Sequence, residues 1–169
     1  MVYFQGNAKK LQNFLDNHAM VLDWGCNVLV TDYRSFGKSE GELCGQDQLY
    51  ADAEQVHDYG RSLGYRAEQI ILYGYSMGVA MVSHLATCRE VTAVIMESGY
   101  SSVNEMGFVA GRCPAYELNN AKKAFRITIS ALVIHGELDT VIEPGHADRS
   151  MKIWLRLSGR NTSLQVGSR

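Results

Sequence analysis

The stretch that decides the fold is ILYGYSMGVAMVSHLA, Ile71 to Ala86. An apolar run ends at Gly74, Ser76 follows two residues later, and after Gly78 the apolar residues recur at helical spacing. The pattern predicts a strand that turns sharply into a helix. A serine at the apex of such a turn sits in a strained backbone conformation, and its oxygen projects beyond the sheet edge. Residues two before and two after it press on neighbouring backbone, so both must be small, as Gly74 and Gly78 are. The backbone N–H of Met77, at the helix start, then points to where an anionic oxygen would form. Gly-x-Ser-x-Gly arises often by chance in a chain with 16 Gly, so its place between strand and helix carries the weight. A glycine-rich turn without chemistry is the competing reading.

Working outward, short apolar runs alternate with amphipathic ones. Val2–Phe4, Asn27–Tyr33, Gln69–Gly74, Ala93–Ser98, Ala131–Gly136 and Ser163–Val166 read as strands. Lys9–Asp23, Gln48–Leu63, Met77–Thr87 and Ala147–Leu157 read as helices, the first with an apolar stripe of Leu11, Phe14, Leu15 and Leu22. Several strands are apolar throughout, as in a sheet covered on both faces. The alternation predicts a single α/β domain over residues 1–169, with a mostly parallel sheet of about six strands and helices on both faces. Residues 100–129, with Gly107, Gly111 and Pro114, break the rhythm and read as a cap-like insertion with a short helix near Ala115–Ala124. Ligands of such sheets bind beyond the carboxyl ends of the strands. There the chain places Gln5, Gly6 and Asn7, then Asp32 and Arg34, Ser76, Glu97, and Glu137 with Asp139.

Composition narrows the function classes. A net charge of -2 over 169 residues leaves no basic footprint for nucleic acid and no polybasic membrane patch. No apolar run reaches the roughly 18 residues of a membrane span, and no signal-peptide pattern opens the chain. The four cysteines, Cys26, Cys44, Cys88 and Cys113, form no C-x-x-C pair, which argues against a zinc site; no metal and no cofactor is expected. A reducing, cytoplasmic setting fits them. Tyr3-Phe4-Gln5-Gly6 can be read as a protease scar, but the helical pattern that follows favours a strand end and a turn.

Several stretches together resemble the α/β-hydrolase superfamily, in its compact serine-hydrolase branch of serine-aminopeptidase-like hydrolases and protein depalmitoylases. YFQGNA (3–8) is similar to the family's oxyanion motif, usually His-Gly-Asn-Ala, and DYRSFGKSEG (32–41) to its Asp-Tyr-Arg-Gly-x-Gly-x-Ser loop. YGYSMG (73–78) resembles the nucleophile elbow, and ESGYSS (97–102) and ALVIHGELDTVIEPGHA (131–147) match further on. The resemblance implies Ser76 as nucleophile, Asp139 as the acid that orients a histidine, and backbone N–H groups of Met77 and Asn7 as the oxyanion hole. Glu97, where some relatives carry the acid, reads better as a hydrogen-bonded carboxylate at a strand end.

Two departures stand out. Gln5 replaces the usual histidine of the oxyanion loop, a position that shapes the loop and is not the base. The catalytic histidine, expected after the last strand, is missing: no histidine follows His146. His146 reads as a helix-start residue, His135 as the end of the acid's strand, His84 as facing away from the elbow, and His18 and His57 as solvated. Without a base, a serine hydroxyl is a poor nucleophile. The resemblance also begins at the family's third strand, so truncation at both ends is the expectation, which would leave Asn27–Tyr33 as a bare edge open to self-association.

The expected activity is that of a serine hydrolase cleaving an ester or thioester, less readily an amide, through an acyl-enzyme. The chain alone should be almost inert. The alternative is a non-catalytic module that binds an acyl-like ligand or a protein. A histidine codon within about ten residues beyond Arg169 supports the enzyme, and a stop codon supports the module. Dehalogenase or epoxide hydrolase chemistry needs a carboxylate nucleophile, against which Ser76 argues.

Overall fold

The computed structural model describes residues 1–7, 11–106 and 116–147. Among them, β1 (Val2–Phe4), β2 (Leu29–Val30), β3 (Ile71–Tyr75), β4 (Ala93–Glu97) and β5 (Ser130–Ile134) form one parallel sheet in the order 2-1-3-4-5. Alternation along each strand divides the core. Val2, Phe4, Leu72, Val94 and Met96 face one side, and Tyr3, Tyr73 and Ile95 face the other. The register aligns Val2 with Leu72 and Tyr3 with Tyr73, so both faces stay in phase across the sheet.

Helix α2 (Gln46–Ser62) brings Leu49 and Ala53 to the first face, and α3 (Gly78–Cys88) brings Val79, Ala80, Met81, Val82 and Leu85. On the second face, α1 (Leu11–Asn17) and a 3-10 turn (Ala19–Trp24) bury Phe14 and Val21. The short α4 (Asn120–Ala124) is capped by the Asn119 side chain, which accepts from Lys122 N.

The structure thus has the expected α/β-hydrolase-type architecture, with corrections of detail. The apolar run Asn27–Tyr33 pairs over only two residues, because β1 offers a short partner. The predicted Lys9–Asp23 helix breaks at His18, and Leu11, Leu15 and Leu22 are exposed; only Phe14 of that stripe reaches the core. His18 and His57 are buried rather than solvated, because each has a carboxylate partner, Glu97 and Asp58. The predicted strand Ser163–Val166, most of the predicted helix Ala147–Leu157, and Gly107, Gly111 and Pro114 lie outside the described residues.

In strand order 2-1-3-4-5 the chain leaves β1 to opposite sides, so the topological switch falls between β1 and β3. The crevice there lies beyond Phe4 and Tyr75, paired at Phe4–Gly74. Gly6, Asn7, Ser76 and Met77 follow directly.

Candidate active site

The turn after β3 is strained where the sequence requires it. Ser76 has φ +52°, a left-handed conformation unusual for a residue with a side chain. Its N–H donates to the Glu97 carbonyl (2.8 Å), and its own carbonyl accepts from Val79 N (3.1 Å) to open α3. The N–H groups of Met77 and Gly78 therefore precede any intrahelical acceptor. A Cβ on Gly74 would lie 2.6 Å from the Gly78 carbonyl carbon and oxygen, and one on Gly78 would lie 2.0 Å from the Phe4 carbonyl oxygen. Both glycines are thus demanded by backbone contact.

A cavity of about 500 Å³ opens on this turn. Gly6, Asn7, Ser76 and Met77 lie at one end, and Phe36, Leu49, Tyr100, Met106, Leu118 and Ile142 form much of its apolar wall. Val103 and Tyr116, from the segment expected to form a cap, also line it. A second cavity of similar volume lies at the β2 edge beside the Arg34–Asp52 ion pair, away from the strained turn.

The loop after β1 is braced against both neighbours. Gln5 is buried, and its Nε2 donates to Asp32 Oδ1 (2.9 Å) and the Thr31 carbonyl (3.3 Å). The Tyr33 hydroxyl donates to the Gln5 carbonyl (2.7 Å). Asp32 also accepts from the N–H groups of Leu11 and Lys38, and a Cβ on Gly37 (φ +56°) would meet its carboxylate at 2.0 Å. Glutamine thus makes the donor contact that holds this loop, with Gly6 packed on Tyr75 and Ser76.

Asp139 lies in the loop after β5. Its Oδ1 accepts from Val141 N and Ile142 N (both 2.9 Å), and Oδ2 lies 3.7 Å from His135 Nε2. Val141 and Ile142 line the same cavity as Ser76, so the Asp139 loop forms a wall of the pocket on which the serine opens. Tyr75, next to the serine, has its hydroxyl pKa raised by burial and by the charges of Glu97 and Asp139.

Glu97 is the hydrogen-bonded strand-end carboxylate the sequence suggests. Tyr73 donates its hydroxyl (2.5 Å), and His18 Nε2 lies 3.4 Å away. Burial alone would raise its pKa, but the contacts with His18 and Tyr73 outweigh that and hold it low.

Each of the five histidines has a partner. His18 meets Glu97, His57 meets Asp58 (2.9 Å), and His84 meets Glu54 (2.6 Å). His135 Nε2 donates to the Ile142 carbonyl (2.7 Å), and His146 Nδ1 lies 2.8 Å from Ser101 Oγ. The last contact was not legible in the sequence. It ties the loop after β5 to the root of the 100–129 segment, with Ser101 Oγ also donating to Glu105 (2.7 Å). Residues 101 and 146 are 45 positions apart, and no spacing rule pairs them.

A parallel sheet with helices on both faces and a strained serine turn at its switch point is the α/β-hydrolase architecture. The α/β hydrolase domain-containing protein 17C of Xenopus tropicalis is 34% identical over 125 residues, 72% of this chain and 40% of that protein. Protein 17B of Homo sapiens is 32% identical over 148 residues, 80% of this chain and 51% of that protein. The chain therefore spans about half, or less, of the length of these curated relatives. No family model matches it. Among solved structures, an esterase of Pyrococcus furiosus superposes with a TM-score of 0.81 at 17% identity, over 99% of this chain and 71% of that one. A monoacylglycerol lipase of Paleococcus ferrophilus gives 0.75 at 16% identity, over 98% and 83%. The chain belongs to the α/β-hydrolase superfamily.

Proposed function

We propose that this chain carries the nucleophile, the acid and the oxyanion site of a serine hydrolase that cleaves an ester or thioester through an acyl-enzyme. The observation that carries this reading is Ser76 at φ +52°, opening on a cavity shared with Gly6, Asn7 and the Asp139 loop. In the proposed reaction Ser76 Oγ adds to the acyl carbonyl, and its proton passes through a base to the leaving alcohol or thiol. Met77 and Asn7 N–H groups take the oxyanion charge. Water then attacks the acyl-serine and releases the acid. The largely apolar cavity suits an acyl chain, and two of the superposed proteins are named an esterase and a lipase.

Asp139 is the residue proposed to orient the imidazole. The base is left unassigned, because each of the five histidines is engaged with another group among the described residues. Those contacts favour a second reading, a non-catalytic module using the same cavity for an acyl-like ligand.

Added imidazole separates the two. Activated esters are assayed with the purified protein and with S76A, and hydrolysis by imidazole alone is subtracted. The enzyme reading expects a small turnover that imidazole raises and that S76A abolishes. Equal rates for protein and S76A, with saturable binding of a fatty acid in the cavity, would favour the module.

A further inference from the structure

Three side chains with no part in the proposed reaction meet on the outer face of α2 and α3. His84 and Cys88, four residues apart on α3, project side by side. Glu54 of α2 faces them. Cys88 Sγ lies 3.6 Å from His84 Nε2 and 3.9 Å from Glu54 Oε1, and Glu54 Oε1 lies 2.6 Å from His84 Nε2. All three ligand atoms fall within 4.8 Å of one another.

We propose that Glu54, His84 and Cys88 form a three-ligand site for a zinc-like divalent cation that links α2 to α3. Ligands about 2.0–2.3 Å from a tetrahedral zinc ion stand roughly 3.3–3.7 Å apart. The two sulfur distances already lie close to that span. The oxygen–nitrogen pair is drawn together by a hydrogen bond and must part by about 0.7–1.1 Å to reach it. On binding, the Cys88 thiol proton leaves to solvent, and His84 presents Nε2 with its ring proton on Nδ1.

The surroundings orient the ligands. The Tyr50 ring stacks on His84 at 4.3 Å and 10°, fixing the imidazole plane. Arg89 Nη2 holds the other Glu54 oxygen (3.0 Å) and is itself paired with Asp58 (2.9 and 3.0 Å). Such outer contacts set ligand direction in metal sites. Cys88 is exposed, which leaves room for water as a fourth ligand. A mixed nitrogen, sulfur and oxygen set suits zinc rather than magnesium or calcium, which take oxygen alone.

The test is equilibrium dialysis of the purified protein against Zn²⁺ alone, with Co²⁺ as a spectroscopic stand-in and Mg²⁺ as competitor. The expected result is one bound Zn²⁺ that excess Mg²⁺ does not displace, and a thiolate-to-cobalt charge-transfer band. C88S should abolish the band and, like H84Q, weaken Zn²⁺ binding at least about tenfold, the lower range seen when even outer contacts are lost. Because Cys88 is exposed, C88S should stay folded, and Zn²⁺ should raise the melting temperature of the parent but not of C88S. A variant with Cys26, Cys44 and Cys113 all changed to serine should keep the band. No saturable binding at micromolar Zn²⁺, or a band that survives C88S, would overturn the site.

Discussion

Gly78→Ala and Gly60→Ala are the same change in two helices, and the structure assigns them opposite signs. At Gly78 the new Cβ meets the Phe4 carbonyl oxygen at 2.0 Å, its carbon at 2.6 Å and the Phe4 Cβ at 3.0 Å. These are mostly backbone atoms of a central strand, and relief requires α3 to move off β1 by about 1 Å or more. Overpacking of this kind costs about 1–3 kcal/mol, and backbone contact places it at the top of that range. The helix-propensity gain of alanine offsets at most about 1 kcal/mol. The net loss is about 2 kcal/mol, a fall in melting temperature of roughly 4–8 °C for a domain of this size. At Gly60 the nearest atoms are Leu29 Cδ2 and Val2 Cγ2, both at 3.8 Å, which is ordinary contact. There the propensity term stands alone, and G60A should gain up to about 1 kcal/mol. Thermal and urea unfolding of both variants provide the assay. A G78A protein as stable as the parent would refute the close approach of α3 to β1, and with it the placement of Met77 beside the loop after β1.

Burial holds Lys123, which donates to the Tyr50 hydroxyl, down to about 8, with Glu117 opposing the shift. Unfolded, it titrates near 10.4. From about pH 8 to 10 the unfolded chain binds the extra proton, so this group makes stability rise with pH, and denaturant unfolding should show a flatter slope in K123M; an unchanged slope would contradict the buried amine. β2 ends the described sheet with an open edge, so light scattering should show concentration-dependent association of the purified protein. A monomer at tens of micromolar would contradict that expectation.

The strand-to-helix turn at Ser76 was legible because its constraints are local. Gly74, Ser76 and Gly78 are set by one turn, and the 2.0–2.6 Å contacts give the physical reason for the spacing. The strands β1, β3 and β4 were likewise readable as short apolar runs, while which side chain faces which layer follows from the pleat of the sheet. The stripe of α1 misled, because period predicts a face but not what covers it: Leu11 and Leu15 share Phe14's periodicity and remain exposed. His18 and His57 read as solvated because their carboxylate partners are assigned by packing: Glu97 lies 79 positions from His18, and Asp58, though adjacent to His57, gives no sign of burial in sequence. The Glu54, His84 and Cys88 cluster was hidden for the same reason. A search for paired cysteines passes over a site whose ligands come from two helices.

The most direct test of the central claim is peptide mapping of the protein after exposure to a fluorophosphonate probe. Ser76 sits at the strained turn and no imidazole is described against it, so the expected result is one slow adduct, on Ser76, lost in S76A and hastened by imidazole. Removing the histidine alone from a complete triad costs about 10⁶ in rate, and labelling should be slower than that of intact serine hydrolases by a comparable order. Adducts spread over other hydroxyls with Ser76 unmodified would contradict the elbow. Labelling of Ser76 at the full rate would show that one of the five histidines serves as base, and single histidine-to-alanine variants would identify it.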